Sequence, residues 1–520
     1  MLTVSWQFHI FFETFMAIGR ISTMLLALLT LCSSAQAQVP RSAIPVGETP
    51  TILEHLEQAD IESGAIGFRK LVSHGALLFD ARFNALDGQG RPAATGNGTP
   101  TKRLIANNPG FLRTSGVDAN SCSGCHNQPV IGGSGDFVAN VFVLAQVRDP
   151  VTTSVDAEFS NERNTLGMNG AGAIEMLARE MTADLLSLKA AAAEQAQRTG
   201  LAVSKNLTTK GVNFGSITAN PDQTFDTSAV VGVDSDLIIR PFHQKGVVVS
   251  LREFTNNAYN HHHGMQSVER FGSERTGSND FDEDGYTDEL TVGDITAATI
   301  YQAALGVPGR VTPSGSKRKA AVRRGRTKFK EVGCESCHIS KMTLKSPIFS
   351  EANPYNPAGN LKPDQMQRKV KFNMTQQGLG PLLEEDKNGG AIVRAFTDLK
   401  RHVICDEQDS FFCNEKLVQG GVPKNQFITR KLWDVGNSAP YGHRGDLTTM
   451  SAAILHHSAE ARESRDAYAA LPVDQQNDII EFLKSLQVLP EGSPIVVSED
   501  DLLNRQELVR EAMKIAMSTN

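Results

Sequence analysis

Cys122-Ser123-Gly124-Cys125-His126 and Cys334-Glu335-Ser336-Cys337-His338 each place two thiols and an imidazole within five consecutive residues. That spacing suits covalent haem attachment, in which two cysteines form thioethers to the haem vinyls while the adjacent histidine ligates iron. With seven cysteines and 13 histidines in 520 residues, chance would supply only about 0.002 copies of the motif. A zinc site would need four thiolate or imidazole ligands converging from such pairs, and would leave the histidine after each pair unexplained. The expectation is two haem c groups, held by Cys122, Cys125, Cys334 and Cys337, with His126 and His338 as proximal ligands.

What each iron does then depends on its sixth ligand. A Met or His cap makes an electron-transfer centre, whereas an open or displaceable position admits peroxide or oxygen. The candidates are His261, His262 and His263 with Met265 close behind, His443, Met342 and Met374, and His456 and His457. His262 and His443 lead this set as distal candidates, against the competing reading of each as a structural hydrogen bonder. A separate acidic run, Asp280, Asp282, Asp284, Tyr286 and Asp288 around Gly285, has the alternating oxygen ligands and turn glycine of a calcium loop. Its twelfth position is Thr291 rather than Glu, so Asp288 or Glu289 would have to substitute; a solvated acidic turn is the alternative.

These groups need a compartment. Arg20 precedes the apolar run from Ile21 to Leu31, and Ala35-Gln36-Ala37 follows as a small-x-small cleavage signature, the layout of an export signal. The run is shorter than the roughly 20 residues a spanning helix requires, so no transmembrane span is expected after cleavage; an uncleaved anchor is the alternative. The long stretch before Arg20 raises Met16 as an alternative start. Cys32 would leave with the signal, which leaves Cys405 and Cys413 outside the haem motifs. In an oxidising periplasm they most simply form a disulfide, with a pair of free redox thiols as the alternative. A formal net charge of −7 gives no electrostatic footprint for nucleic acid.

The elements that must position the site read as helices for the most part. Ile174, Leu177, Met181, Leu185 and Leu188 share one face of a helix expected over 165–200 and stopped by Gly200. Short β-type runs are expected between Thr208 and Phe242, and a second helix from about Val247 to Asn260. The basic stretch from Lys317 to Arg326 reads as a solvated helix face, with docking to an acidic electron donor as the second reading. A closing helix from about Asp474 to Leu489 carries Ile479, Ile480, Leu483 and Leu486, and 498–516 forms a charged helical tail. The expected divisions are 1–37 signal peptide, 38–310 first haem domain with the acidic loop, 311–490 second haem domain, and 491–520 tail.

The ordered set NSCSGCHNQP, GAGAIEMLAREM, FTNNAYNHHHGMQSVERFG, DFDEDGYTDELTVGDIT, GCESCHISKMTL and LWDVGNSAPYGHRGDLTTMSAAILHHSAEA resembles the di-haem oxidoreductase family, relatives of the bacterial di-haem cytochrome c peroxidases. The resemblance covers about residues 60–490. It implies a mainly α fold: two cytochrome c-like haem domains facing each other, with a small β-containing insertion in the N-terminal half. It further implies one haem for electron transfer and one for chemistry, and a small periplasmic electron-transfer protein as partner. By the same resemblance Glu175 matches the glutamate that assists proton movement during O–O cleavage; read from its residues alone, it is equally an i,i+4 partner of Arg179. One departure stands out. Where the peroxidases place a ligating Met in a Pro-Tyr-Met-His run, this chain has Gly442, followed by His443. A non-catalytic di-haem electron carrier and an oxidase acting on a partner protein are the other readings. Trp433 reads as core, or as a group lying between the haems.

Overall fold

Two helix pairs organise the chain, and a glycine brings each pair to backbone contact. The computed structural model describes residues 46–89, 93–94, 100–101, 119–135, 138–141, 161–281, 285–415, 418–504 and 507. The helix Phe68–Asp80 buries Leu71, Val72, Leu78 and Phe79 against Val292–Ala304, the stripe expected of an amphipathic helix facing a core. A Cβ on Gly75 would lie 2.1 Å from the Ala297 carbonyl oxygen, so only glycine permits this crossing. The second pair sets Ser316–Glu331 on Val473–Lys484, and there a Cβ on Gly325 would lie 1.8 Å from the Asp478 carbonyl oxygen. Four residues after each glycine comes a buried phenylalanine, Phe79 or Phe329.

The members of each pair differ in what covers them. Val292–Ala304 is buried along nearly its whole length, as an apolar helix inside a core must be. A Thr291/Asp294 capping box closes its N-terminus. Ser316–Glu331 buries only Gly325 and Phe329. Its Lys and Arg side chains face outward, and Arg324 forms a two-pronged pair with Asp478 at 2.7 Å for each bond.

The long helix is Ala171–Thr199, starting after Gly170 and ending on the left-handed Gly200. Its apolar face packs on a hairpin, Val203–Thr209 with Val212–Ala219. Lys210 and Gly211 turn that hairpin with positive φ of 49° and 85°, the twist-matched two-residue geometry. The run from Asp236 to Phe242, expected to be extended, forms no strand. Asp236 accepts its own turn's Ile238 N–H at 2.9 Å, and Leu237 sits at φ 64°.

The expectation of a mainly α chain with β structure confined to its N-terminal half is wrong; the architecture is mixed α and β. Between the second CxxCH motif and the closing helices lie Met342–Leu344, Ile348–Glu351, Val370–Asn373, Glu384–Glu385, Ala391–Val393, Arg401–Val403 and Gln426–Ile428. They pair into sheets of two or three strands. Strands of two to four residues are too short for alternation to register as a pattern, so the sequence left this region blank. A further sheet holds Gly309–Thr312 between Leu486–Gln487, antiparallel, and Val496–Ser498, parallel.

One core cluster runs from Ile52 through Leu177, Ile295 and Phe349 to Trp433, and a second gathers Phe329, Phe396, Tyr468, Ile479 and Phe482. Val46–Ser498 forms one compact unit; residues 499–504 and 507 are helical. The expected signal peptide 1–37, Asp282, Asp284, and residues 505–506 and 508–520 of the expected tail lie outside the described residues. Among the described residues no helix is long and apolar enough to cross a membrane.

Candidate functional site

Each CxxCH motif occupies a short helical turn that follows a glycine-bearing helix. Ser121 caps the first, its Oγ accepting the Gly124 N–H at 3.1 Å, and the Ser123 hydroxyl donates to Asp80 at the end of the leading helix. None of Cys122, Cys125, Cys334 and Cys337 is joined in a disulfide. Burial pushes the Cys122 and Cys334 thiols up to about 12, which makes them poor thiolate nucleophiles at neutral pH.

The two histidines are held alike. His126 Nδ1 lies 3.3 Å from the Gly133 carbonyl, and His338 Nδ1 lies 3.1 Å from the Phe396 carbonyl. A carbonyl only accepts, so each Nδ1 bears the proton and each Nε2 keeps its lone pair. Burial lowers both imidazoles to about 4, leaving them neutral. The phenylalanine after each glycine packs on the ring: Phe79 at 6.4 Å and 50° from His126, Phe329 at 6.3 Å and 52° from His338.

Both rings line one cavity of about 350 Å³. Leu166, Met168, Ile174, Phe254, Phe412, Met450 and Ile454 are among its apolar walls. Arg430, Lys431 and Arg465 also line it, against the single carboxylate Glu460. Lys431 donates to the Gly167 carbonyl at 2.8 Å, and burial lowers its amine to about 8. Arg430 is paired with Asp434 at 3.2 Å, and Arg465 with Asp409 at 3.3 Å and Asp466 at 2.5 Å.

The expected distal groups part company. His262, half-buried, lies in the widened π-type turn Tyr259–His263, a local irregularity that recurs at functional sites. His263 places Nε2 3.3 Å from Cys122 Sγ and Nδ1 2.6 Å from the Ala119 carbonyl. His443 is stacked on Phe427, ring centres 4.5 Å apart, with Nε2 buried and without a hydrogen-bond partner. Three further imidazoles, His243, His402 and His457, line the cavity, the first two not singled out by sequence reasoning.

Among the described residues, Cys337, Asp398 and His402 form a group whose ligand atoms lie within 4.8 Å of one another. His402, however, bonds Asp398 through Nε2 and Glu460 through Nδ1, both at 2.8 Å. Burial alone would lower this imidazole, yet the Asp398 bond and its companions hold it at about 11. An imidazolium has no lone pair for a metal.

Glu175 does not line the cavity. It is fully buried, its Oε2 accepts the Leu251 N–H at 2.8 Å, and its Oε1 accepts Asn353 Nδ2 at 2.9 Å. Arg179 stands 3.9 Å away at the i,i+4 position. The carboxyl thus caps the helix Leu251–Ala258 alongside Ser250, whose Oγ accepts the Glu253 N–H. Of the calcium-type residues, Asp280 accepts the Gly285 N–H at 3.1 Å and Tyr286 is exposed. Asp288 takes a positive φ of 52°, while Glu289 turns inward to accept the Gln266 N–H at 2.8 Å. Trp433 is buried core against Gly170. Cys405 and Cys413 form a disulfide.

No protein-family model and no curated relative matches the sequence. Among solved structures the chain is similar to hydrazine synthase from Kuenenia stuttgartiensis, pressurised with 20 bar xenon. The identity is 14%, the TM-score 0.33, and the match covers 87% of this chain and 100% of that one. A likeness that slight decides nothing about fold or activity.

Proposed function

We propose that this chain is an exported di-haem c-type cytochrome oxidoreductase of the peroxidase kind. Cys122 and Cys125 hold one haem by thioethers, with His126 on its iron; Cys334, Cys337 and His338 hold the other. The observation that carries the reading is the matched presentation of His126 and His338: each Nδ1 is tied to a backbone carbonyl, and both rings line one apolar cavity. Tying Nδ1 in this way fixes the ring and raises its basicity as a ligand. Haem, when bound, supplies an iron that passes single electrons and, with an open position, reduces a small oxidant such as peroxide.

The chain's own residues do the rest. Phe79 and Phe329 fix the ring planes. Lys431 would offer its charge to a propionate, Arg430 and Arg465 being paired with protein carboxylates, and the apolar walls would exclude water, which strengthens such an interaction. The Cys405–Cys413 bond is in keeping with the periplasm as compartment. A small electron-transfer protein would serve as donor, and calcium would order the 280–291 loop. A non-catalytic carrier is the second reading, favoured by the number of imidazoles around the cavity.

Cys125→Ala and Cys337→Ala should each remove one haem equivalent by pyridine haemochrome assay, and two full equivalents in either variant would defeat the assignment. Low-temperature EPR separates the two functional readings. A high-spin ferric signal, in the oxidised or half-reduced protein, with rapid cyanide binding supports catalysis. Two low-spin signals that ignore cyanide make it a carrier.

A further inference from the structure

We propose that His457 supplies the second axial nitrogen to the iron held by His338, making the Cys334–His338 centre a bis-imidazole haem. The inference rests on the haem reading above and names a ligand within it.

His457 follows the helix Met450–Leu455, whose N-terminus Thr449 caps by accepting the Ala452 N–H. Its backbone N–H bonds the Ile454 carbonyl at 3.1 Å, and its Nδ1 lies 2.8 Å from the Ala453 carbonyl. The same reasoning used for His338 applies: a carbonyl accepts only, so Nδ1 bears the proton and Nε2 keeps the lone pair a metal needs. Phe412 meets the ring edge-on at 5.8 Å and 85°. Phe412 is itself buried beside Cys413 of the disulfide loop, so the orientation is braced by a covalent clamp. His457 and His338 line the same cavity. The helix that ends just before His457 packs Met450 and Ile454 into the cluster of Phe329 and Cys334, which sets His457 on the Cys334 side of that cavity.

The neighbouring imidazoles are engaged otherwise. His402 gives both nitrogens to carboxylates. His456 stacks on Phe411 at 3.9 Å, with Asp409 3.7 Å away. His443 is stacked on Phe427 with ring centres 4.5 Å apart, and its Nε2 is sealed from solvent. His457 therefore displaces His443 as the sixth ligand of this centre.

The test compares His457→Ala, His457→Met and His443→Ala in the full chain, with haem counted first. Where each variant keeps two haems, His457→Ala should convert one low-spin ferric signal to high-spin, and added imidazole should restore it. His443→Ala should leave the spectrum unchanged. His457→Met, which keeps the bulk and offers a thioether, should stay low-spin with one reduction potential raised, since a His/Met pair raises it. An unchanged low-spin signal in His457→Ala and an unchanged potential in His457→Met would overturn the proposal, as would a high-spin haem at Cys334–His338 in the unaltered protein. Absence of haem at that motif would instead defeat the function proposed above.

Discussion

Glu175 shows a carboxyl drawn into the framework. The i,i+4 relation to Arg179 was readable from sequence, whereas the Leu251 N–H and Asn353, 76 and 178 residues away, were not, because no local pattern announces a long-range acceptor. Burial first, and then Glu351, raise this carboxyl to about 7 from an ordinary 4.5, against Arg179 and its hydrogen bonds. Between those pH values the folded chain holds a proton that the unfolded chain has released. Stability should therefore fall as pH rises from about 4.5 to about 7, and level off above. Glu175→Gln should flatten that fall, read as the urea midpoint against pH. Glu175→Leu leaves two buried donors unpaired and should cost about 1–3 kcal/mol for each. A Glu175→Gln variant that keeps its midpoint profile yet loses peroxide turnover would put the carboxyl in the chemistry instead. The haem-motif cysteines and histidines were legible because their spacing is local. His457 was visible only as one candidate among several, since its tautomer depends on a carbonyl four residues back and its facing on the fold.

At the scale of elements, helices with a full apolar stripe were legible and short strands were not. Ala171–Thr199 lies inside the span 165–200 that periodicity gave it, and Ser316–Glu331 contains the basic stretch read as a solvated helix face; the closing helix, expected to run to Leu489, stops at Lys484, and Leu486 of its expected stripe is in a strand instead. The π-type turn at Tyr259–His263 has no such signature; the expected helix simply widens there before Gly264. One signal in plain sight went unread: both leading helices carry a glycine followed four residues later by phenylalanine, Gly75 with Phe79 and Gly325 with Phe329. The glycines permit the crossings, so Gly75→Ala or Gly325→Ala should destabilise by about 1–3 kcal/mol or more through overpacking. Gly67→Ala, with nothing within 4 Å of the added carbon, is the control; chemical denaturation reads all three. The acidic loop makes its own prediction. If 280–291 holds calcium, chelation should lower the melting temperature and calcium should restore it. No shift on chelation would leave a solvated turn.

For the molecule as a whole, the fold class was misjudged because the C-terminal half is built from short strands that only tertiary contact defines. Motif order spoke to the placement of two histidine-bearing turns but not to their opening onto one chamber. The sheet around Gly309–Thr312 is the plainest case of long-range construction: both partners, Leu486–Gln487 and Val496–Ser498, come from far downstream in the sequence. Ending the chain after residue 490 should strip the parallel partner, lower the unfolding midpoint, and expose an edge prone to pairing between molecules; light scattering on heating would report it. A truncated chain with unaltered midpoint and clear solutions would make the outer strand dispensable.

The same sheet imposes an order in time. A chain is made from its N-terminus, and early segments fold as they emerge, but this central strand must wait through the synthesis of nearly two hundred further residues before its neighbours exist. The first helix pair can close early; the junction cannot. The segment from Leu486 to Ser498 is therefore the latch that completes this junction.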